Sequence, residues 1–217
     1  MPTTEVACFP LTPGSNPGDP NSEAGKITKS TFDTLQARDG MQQLQFGMQV
    51  ENPNTMYLMI NWETKKHHED FIASESYNPF LKTFMTICDG DPTLFCHADF
   101  QPPTSLTKTL SAPVTELATF YFEGAPQADY LQNVGKFAET LEREKPEGFL
   151  AAAYGLTHEV LEREGVKGKA LVLTIGWQSV ERHMEYRETE AFRTNIGLLR
   201  GDAKGIVMKH VQFMNAV

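Results

Sequence analysis

Leu44, Phe46, Met48 and Val50 alternate with Gln43, Gln45, Gly47 and Gln49, a period of two that predicts a strand. The polar ENPN at 51–54 is a turn, so Met56–Trp62 is expected to pair back as the next strand. Glu5–Leu11 reads as an earlier strand, followed by the loop PGSNPGDP at 13–20. Asp19 before Pro20 suits a helix start, and the helix is expected to run to about Arg38. Two more helices are expected, over about Thr64–Ser74 and Pro79–Cys88, before a last strand at Leu94–Phe100. The order is β-α-β-β-α-β, the split βαβ of the ferredoxin-like type.

The pattern then recurs. TEVACF at 4–9 returns as TELATF at 115–120, and the block beginning at Trp62 returns at Trp177. The offset between copies is 111 at the first strand, 108 at Gly40/Gly148, 115 at Trp62/Trp177 and 113 at His97/His210. Each jump locates a loop, and the largest follows Gly155, where LEREGVKGK is inserted. Tyr130, Leu131, Val134, Phe137 and Leu141 share one face of the second copy's first helix. The expected division is one repeat over residues 1–100, a Pro/Ser/Thr-rich connector at 101–112, and a second repeat over 113–217. A four-stranded sheet with helices on one face needs cover on the other. The expected fold is therefore α+β: two ferredoxin-like repeats in one chain, forming a pseudo-dimeric α+β barrel with its sheets face to face.

Charge narrows the partners. The net charge is −9, with 6 basic and 13 acidic groups over residues 4–100 and 12 and 15 over 113–217. Neither half has a basic stripe, which argues against nucleic acid. No apolar run approaches a membrane span, and the N-terminus lacks a secretory pattern, so a cytoplasmic protein is expected. Cys8, Cys88 and Cys96 are an odd set without a disulfide framework, and Cys88, Cys96 and His97 lack zinc spacing. No glycine-rich phosphate loop, nucleotide fingerprint or serine elbow is present. No cofactor and no metal are expected.

Trp62, His68, Phe71, Ser74, Tyr77, Pro79 and Phe80, with Trp177, His183, Tyr186 and Phe192 in the second copy, carry a resemblance. The chain resembles the dimeric α+β barrel superfamily, most closely the fungal proteins with two antibiotic-biosynthesis-monooxygenase-like (ABM) domains in one chain. Thr189, Thr194 and Asn195 depart from the first copy's Ser, Pro and Phe. The resemblance implies cofactor-independent oxygenation, or cyclisation or decarboxylation, of a polyketide-like substrate. It also implies a tryptophan and a histidine beside that substrate, either Trp62 with His68 or Trp177 with His183. Other barrels of this kind bind haem, for which His183 is the available axial ligand. A non-catalytic ligand-binding or stress-responsive barrel is the alternative.

His68 lies three and four residues before Phe71 and Ile72, on the apolar face of its helix, and His183 stands likewise before Tyr186. Either is placed to move a proton near neutral pH or simply to be a buried, bonded histidine. His97 and His210 also match, on the last strands, where a histidine readily lines a sheet face. The mismatches between copies point to a cavity or to packing. Gln43, Gln45, Tyr57, Met59 and Asn61 become Ala151, Ala153, Val172, Thr174 and Gly176, each a loss of volume. Either copy one's larger residues fill that space, or copy two holds a pocket for a small apolar or aromatic molecule. Such a pocket would draw on Tyr154, Thr174, Trp177 and Tyr186, with His183 as first candidate base and His68 as second. The duplication supplies internally the contact that single-repeat relatives make between chains, so a monomer or a homodimer is compatible.

Overall fold

The computed structural model describes residues 2–215 and divides into two compact units, 2–97 with 214–215, and 98–213.

The first unit runs β1 (Thr3–Pro10), α1 (Glu23–Gln36), β2 (Met41–Gln49), β3 (Thr55–Trp62), α2 (Lys65–Ile72), α3 (Tyr77–Phe84) and β4 (Leu94–Ala98), with a short 3-10 turn after α3. Its strand order is β4-β1-β3-β2, the ferredoxin-like arrangement. Antiparallel register sets Glu5 opposite Ile60 and Phe46 opposite Leu58. Alternation then sends Ala7, Phe9, Leu58, Ile60 and Trp62 to the face covered by Phe32, Leu35, Phe71 and Phe84 of the helices. The first helix starts later than the sequence pattern implies. Ser22 is the cap, its Oγ accepting from the Gly25 N–H at 2.8 Å, while Asp19 closes the preceding turn.

The second unit opens with α4 (Pro103–Leu110), then β5 (Val114–Tyr121), α5 (Tyr130–Glu144), β6 (Phe149–Leu156), the hairpin β7 (Leu161–Arg163) and β8 (Val166–Gly168), β9 (Ala170–Trp177), α6 (Val180–Arg187), α7 (Glu190–Arg200) and β10 (Gly205–Asn215). Its strand order, β10-β5-β9-β6, repeats that of the first unit. Tyr130, Val134, Phe137 and Leu141 of α5 are buried together, as their spacing predicts. The LEREGVKGK insertion is a hairpin rather than an open loop. Glu164 and Gly165 both take positive φ (51° and 83°), the turn whose twist matches paired strands.

The expected connector at 101–112 is instead largely a helix. Pro103 occupies the first turn of α4, where its missing N–H is not needed, and Leu106, Thr109 and Leu110 are buried. The helix packs on β6 and β9. This accounts for the small residues of copy two. A Cβ on Gly176 would lie 2.9 Å from Ala112 Cβ and 3.2 Å from Thr109 Cα, so only glycine lets the helix approach. Thr174 Oγ1 lies 3.0 Å from Thr109 Oγ1, and Thr115 Oγ1 donates to the Thr109 carbonyl at 2.7 Å. Within the second unit, α4 packs against this small-residue face, with Thr109 beside Thr174 and Gly176. In the first unit the corresponding face carries polar side chains beside Val6, Cys8 and Met59. Thr4 Oγ1 donates to Asn61 Oδ1 at 2.8 Å, and Asn61 Nδ2 donates to Gln43 Oε1 at 3.3 Å.

Among the described residues, no helix is long and apolar enough to cross a membrane.

Candidate functional site

Each unit buries the same four groups beneath its helices. In the first, Glu5 sits on β1, on the face that carries Ala7 and Phe9, and is 6 % exposed. Trp62 ends β3 and donates its indole Nε1–H to Glu5 Oε2 at 3.1 Å. His68, the fourth residue of α2, stacks on Trp62 with ring centroids 5.0 Å apart and planes 7° from parallel. Its Nδ1 lies 3.3 Å from Glu5 Oε2 and 2.7 Å from His97 Nε2 on β4. All four side chains are buried.

The second unit repeats this. Trp177 Nε1–H donates to Glu116 Oε2 at 3.1 Å, and His183, the fourth residue of α6, stacks on Trp177 at 5.3 Å and 18°. His210 is the cross-strand partner of Glu116. The wiring differs in one respect. Glu116 Oε2 approaches His183 Nε2 at 3.2 Å, whereas His210 Nε2 approaches His183 Nδ1 at 2.8 Å. His183 therefore bridges with both ring nitrogens, while in the first unit both neighbours converge on the single Nδ1 of His68.

Burial governs the charges in the second unit. Desolvation raises Glu116 to about 7, against the opposing pull of the Trp177 hydrogen bond and the Arg187 charge. Desolvation, followed by His210 and Arg187, lowers His183 to about 3. His183 is accordingly neutral at physiological pH. Tyr186 rises to about 12, chiefly by desolvation, and its buried hydroxyl has no hydrogen-bond partner among the described residues.

The cavities differ more than the clusters. A cavity of about 280 Å³ lies under the helices of the first unit, with Glu5 and His68 in a wall otherwise built from Phe71, Tyr77, Phe80, Phe84 and Phe95 among others. Desolvation and the nearby Glu5 raise the Tyr77 phenol. Beside Glu116 and His183 the space is only about 90 Å³, closed in by Phe137, Tyr186, Ile196 and Leu199.

Of the residues singled out from sequence, His68 and Trp62 come together in one cluster, and His183, Trp177 and Tyr186 in the other. Tyr154 and Thr174 join neither. Tyr154 lies against Gly135 of α5, and Thr174 points to the opposite sheet face, toward α4. His97 and His210, read as sheet-lining histidines, are direct partners of the helix histidines. The glutamates were missed. Their signal was in the TEVACF/TELATF echo, which places a carboxylate at the same point of two otherwise apolar strands. His67 and His158 lie apart, beside Thr64 Oγ1 (3.0 Å) and Asp99 (3.0 Å).

No protein-family profile matches the chain, and no curated protein matches it. Solved structures do. An anthrone oxidase-like protein is 15% identical with a TM-score of 0.64, over 99% of this chain and 93% of its own. A candidate monooxygenase from Fusobacterium nucleatum is 13% identical with a TM-score of 0.61, over 99% and 94%. A candidate chlorite dismutase is 10% identical with a TM-score of 0.59, over 99% and 95%. Likeness at this identity shows the fold. The chain has an α+β fold of two ferredoxin-like repeats, and these solved structures share its fold.

Proposed function

We propose that the protein is a small-molecule enzyme of the ABM-like oxygenase kind. It acts, without an organic cofactor, on a flat apolar compound bearing an acidic phenol or enol proton, such as a polyketide-like aromatic. The observation that carries this reading is the aromatic-walled cavity of the first unit, whose polar end is Glu5 and His68. At about 280 Å³ it is near the size of small-ligand sites, whereas about 90 Å³ beside His183 holds little more than a few waters. On this reading His68 is the first candidate base and His183 the second, the reverse of the order expected from sequence. The substrate's proton passes to the buried Glu5–His68–His97 cluster, and the apolar wall holds the resulting anion beside dioxygen or an internal electrophile. Trp62 fixes the ring plane of His68 by stacking and orients Glu5 by its indole N–H. The second cluster is then a structural copy.

Oxygen uptake and product formation with a panel of phenolic and enolic polycycles test this. His68→Gln should reduce turnover by about a hundredfold or more, the usual worth of a positioned base, with a small change in melting temperature. His183→Gln should leave most turnover. Turnover that survives His68→Gln, or that falls only with His183→Gln, overturns the reading. A non-catalytic ligand-binding barrel is indicated if the panel binds in the first unit and none of it reacts.

A further inference from the structure

The two clusters contain the same side chains and differ in where their lone pairs point. In the second unit, Glu116 and His210 use different nitrogens of His183, so each contact can have its own proton or lone pair. In the first, Glu5 Oε2 and His97 Nε2 both face Nδ1 of His68, at 3.3 Å and 2.7 Å. A ring nitrogen either carries one proton or offers one lone pair. If Nδ1 is protonated, one hydrogen is directed at two acceptors. If His97 Nε2 carries the proton instead, the carboxylate faces the Nδ1 lone pair. One cation would serve all three donor atoms, which lie within 4.8 Å of one another and belong to buried residues.

We propose that Glu5, His68 and His97 form a binding site for one divalent first-row transition ion, of the Zn²⁺ or Fe²⁺ type, in the first unit. Two imidazoles and one carboxylate are a donor set for such ions, and three protein ligands leave a coordination position open. Ligands about 2.0–2.1 Å from a common ion lie roughly 3.0–3.4 Å apart for octahedral to tetrahedral angles. The observed 2.7 Å and 3.3 Å to His68 Nδ1 lie within tenths of an ångström of that range, and all three donor atoms lie within 4.8 Å of one another. The surroundings also suit a ligand shell. The Trp62 indole N–H bonds the ligating carboxylate, the outer-shell contact that fixes such a group, and the stacked indole fixes the His68 ring. Glu5 and His68 also border the 280 Å³ cavity, so an open position has space for water or a substrate oxygen. This goes beyond the proton-transfer reading above. An ion there would stabilise an anionic oxygen in the same cavity by its charge, acidifying a bound water or phenol.

The experiment reads metal, not turnover. Chelator-treated, dialysed full-length protein is titrated with Co²⁺, followed by its visible absorption. Zn²⁺ competition and elemental analysis give the stoichiometry. One ion per chain is expected, with a rise in melting temperature. His68→Gln and His97→Gln should each weaken binding at least about a hundredfold, and Trp62→Phe about tenfold through the lost outer-shell bond. His210→Gln should change nothing. If a ligand variant fails to fold, the Trp62→Phe and His210→Gln pair decides. Absence of a Co²⁺ band, binding unchanged in Trp62→Phe or His97→Gln, or an ion lost only in His210→Gln overturns the site. Metal bound as described, with no turnover on any substrate, leaves this site standing and sinks the proposed reaction. Turnover that persists in chelated protein unable to bind metal does the reverse.

Discussion

The two buried clusters were assembled from the same parts and are wired differently. Trp62, Glu5, His68 and His97 match Trp177, Glu116, His183 and His210 position for position. Their helix neighbours match in part, Phe71 and Tyr77 answering to Tyr186 and Phe192, but the space beside them does not. The first unit leaves about 280 Å³ among aromatic rings, and the second about 90 Å³. The opposite sheet faces diverge too, since the second unit accepts α4 close against Gly176 where the first carries Asn61. The two units thus share a polar core and differ in what packs around it. The matched residues are what both units keep; the shell around them shows where one unit has more room.

The largest test of that comparison is the shared tryptophan. Both indoles are wholly buried and each bonds a buried carboxylate. Trp62→Ala and Trp177→Ala should each cost about 3–5 kcal/mol by chemical denaturation. A loss below about 1 kcal/mol in either copy would show that the clusters are not equivalent supports.

The second test is pH. Glu116 is raised from 4.5 to about 7, so its contribution to stability is complete below about pH 4.5 and is lost as pH rises to about 7. His183 is lowered from 6.5 to about 3, so its contribution is complete above about pH 6.5 and is lost as pH falls toward 3. The two oppose each other between pH 4.5 and 6.5. Glu116→Gln should remove the fall in stability toward pH 7, and leave a steeper rise from pH 3 to 6.5. The difference amounts to as much as about 3 kcal/mol across the window. Superimposable profiles of melting temperature against pH for wild type and Glu116→Gln would contradict the assignment.

The third concerns α4. Gly176→Val forces a side chain into Ala112 and Thr109, and should cost about 1–3 kcal/mol by overpacking. Asn61→Val at the matched position meets no such helix, and there the loss is that of the Thr4 and Gln43 hydrogen bonds, about 1 kcal/mol each. Equal and negligible costs would mean that the helix does not explain the small residues. The smallest effect is expected at the cavity. Leu81→Trp fills part of the first unit's space and should change stability by less than about 1 kcal/mol. It should nevertheless abolish binding of an aromatic probe, measured by fluorescence. Undiminished binding would place the ligand elsewhere.

Much of this molecule was legible without coordinates. Period-two and helical spacing gave both β-α-β-β-α-β runs, because burial of one face per element leaves its mark on local sequence. The echo of one half in the other located Trp62/Trp177 and His68/His183. Other features were illegible for definite reasons. The cap at Ser22 rather than Asp19 depends on which oxygen meets the Gly25 N–H. The α4 segment has few strong helix formers, and its helix is supported by packing on β6 and β9, which local propensity does not register. Tyr154 and Thr174 were grouped with a pocket because lost volume implies space, yet sequence does not say what moves into it. Glu5 and Glu116 were visible as letters, but their meeting with a histidine from a helix and another from the last strand is a long-range event.

The sequence by itself determined the fold class and its repetition, since both follow from spacing along the chain. Tertiary structure alone decided that four dispersed side chains share one buried point in each unit. It also decided that α4 packs on the small-residue face, and that the larger of the two cavities beside the clusters lies in the first unit. Volumes and converging lone pairs are properties of distance between segments far apart in sequence, and no local pattern encodes them.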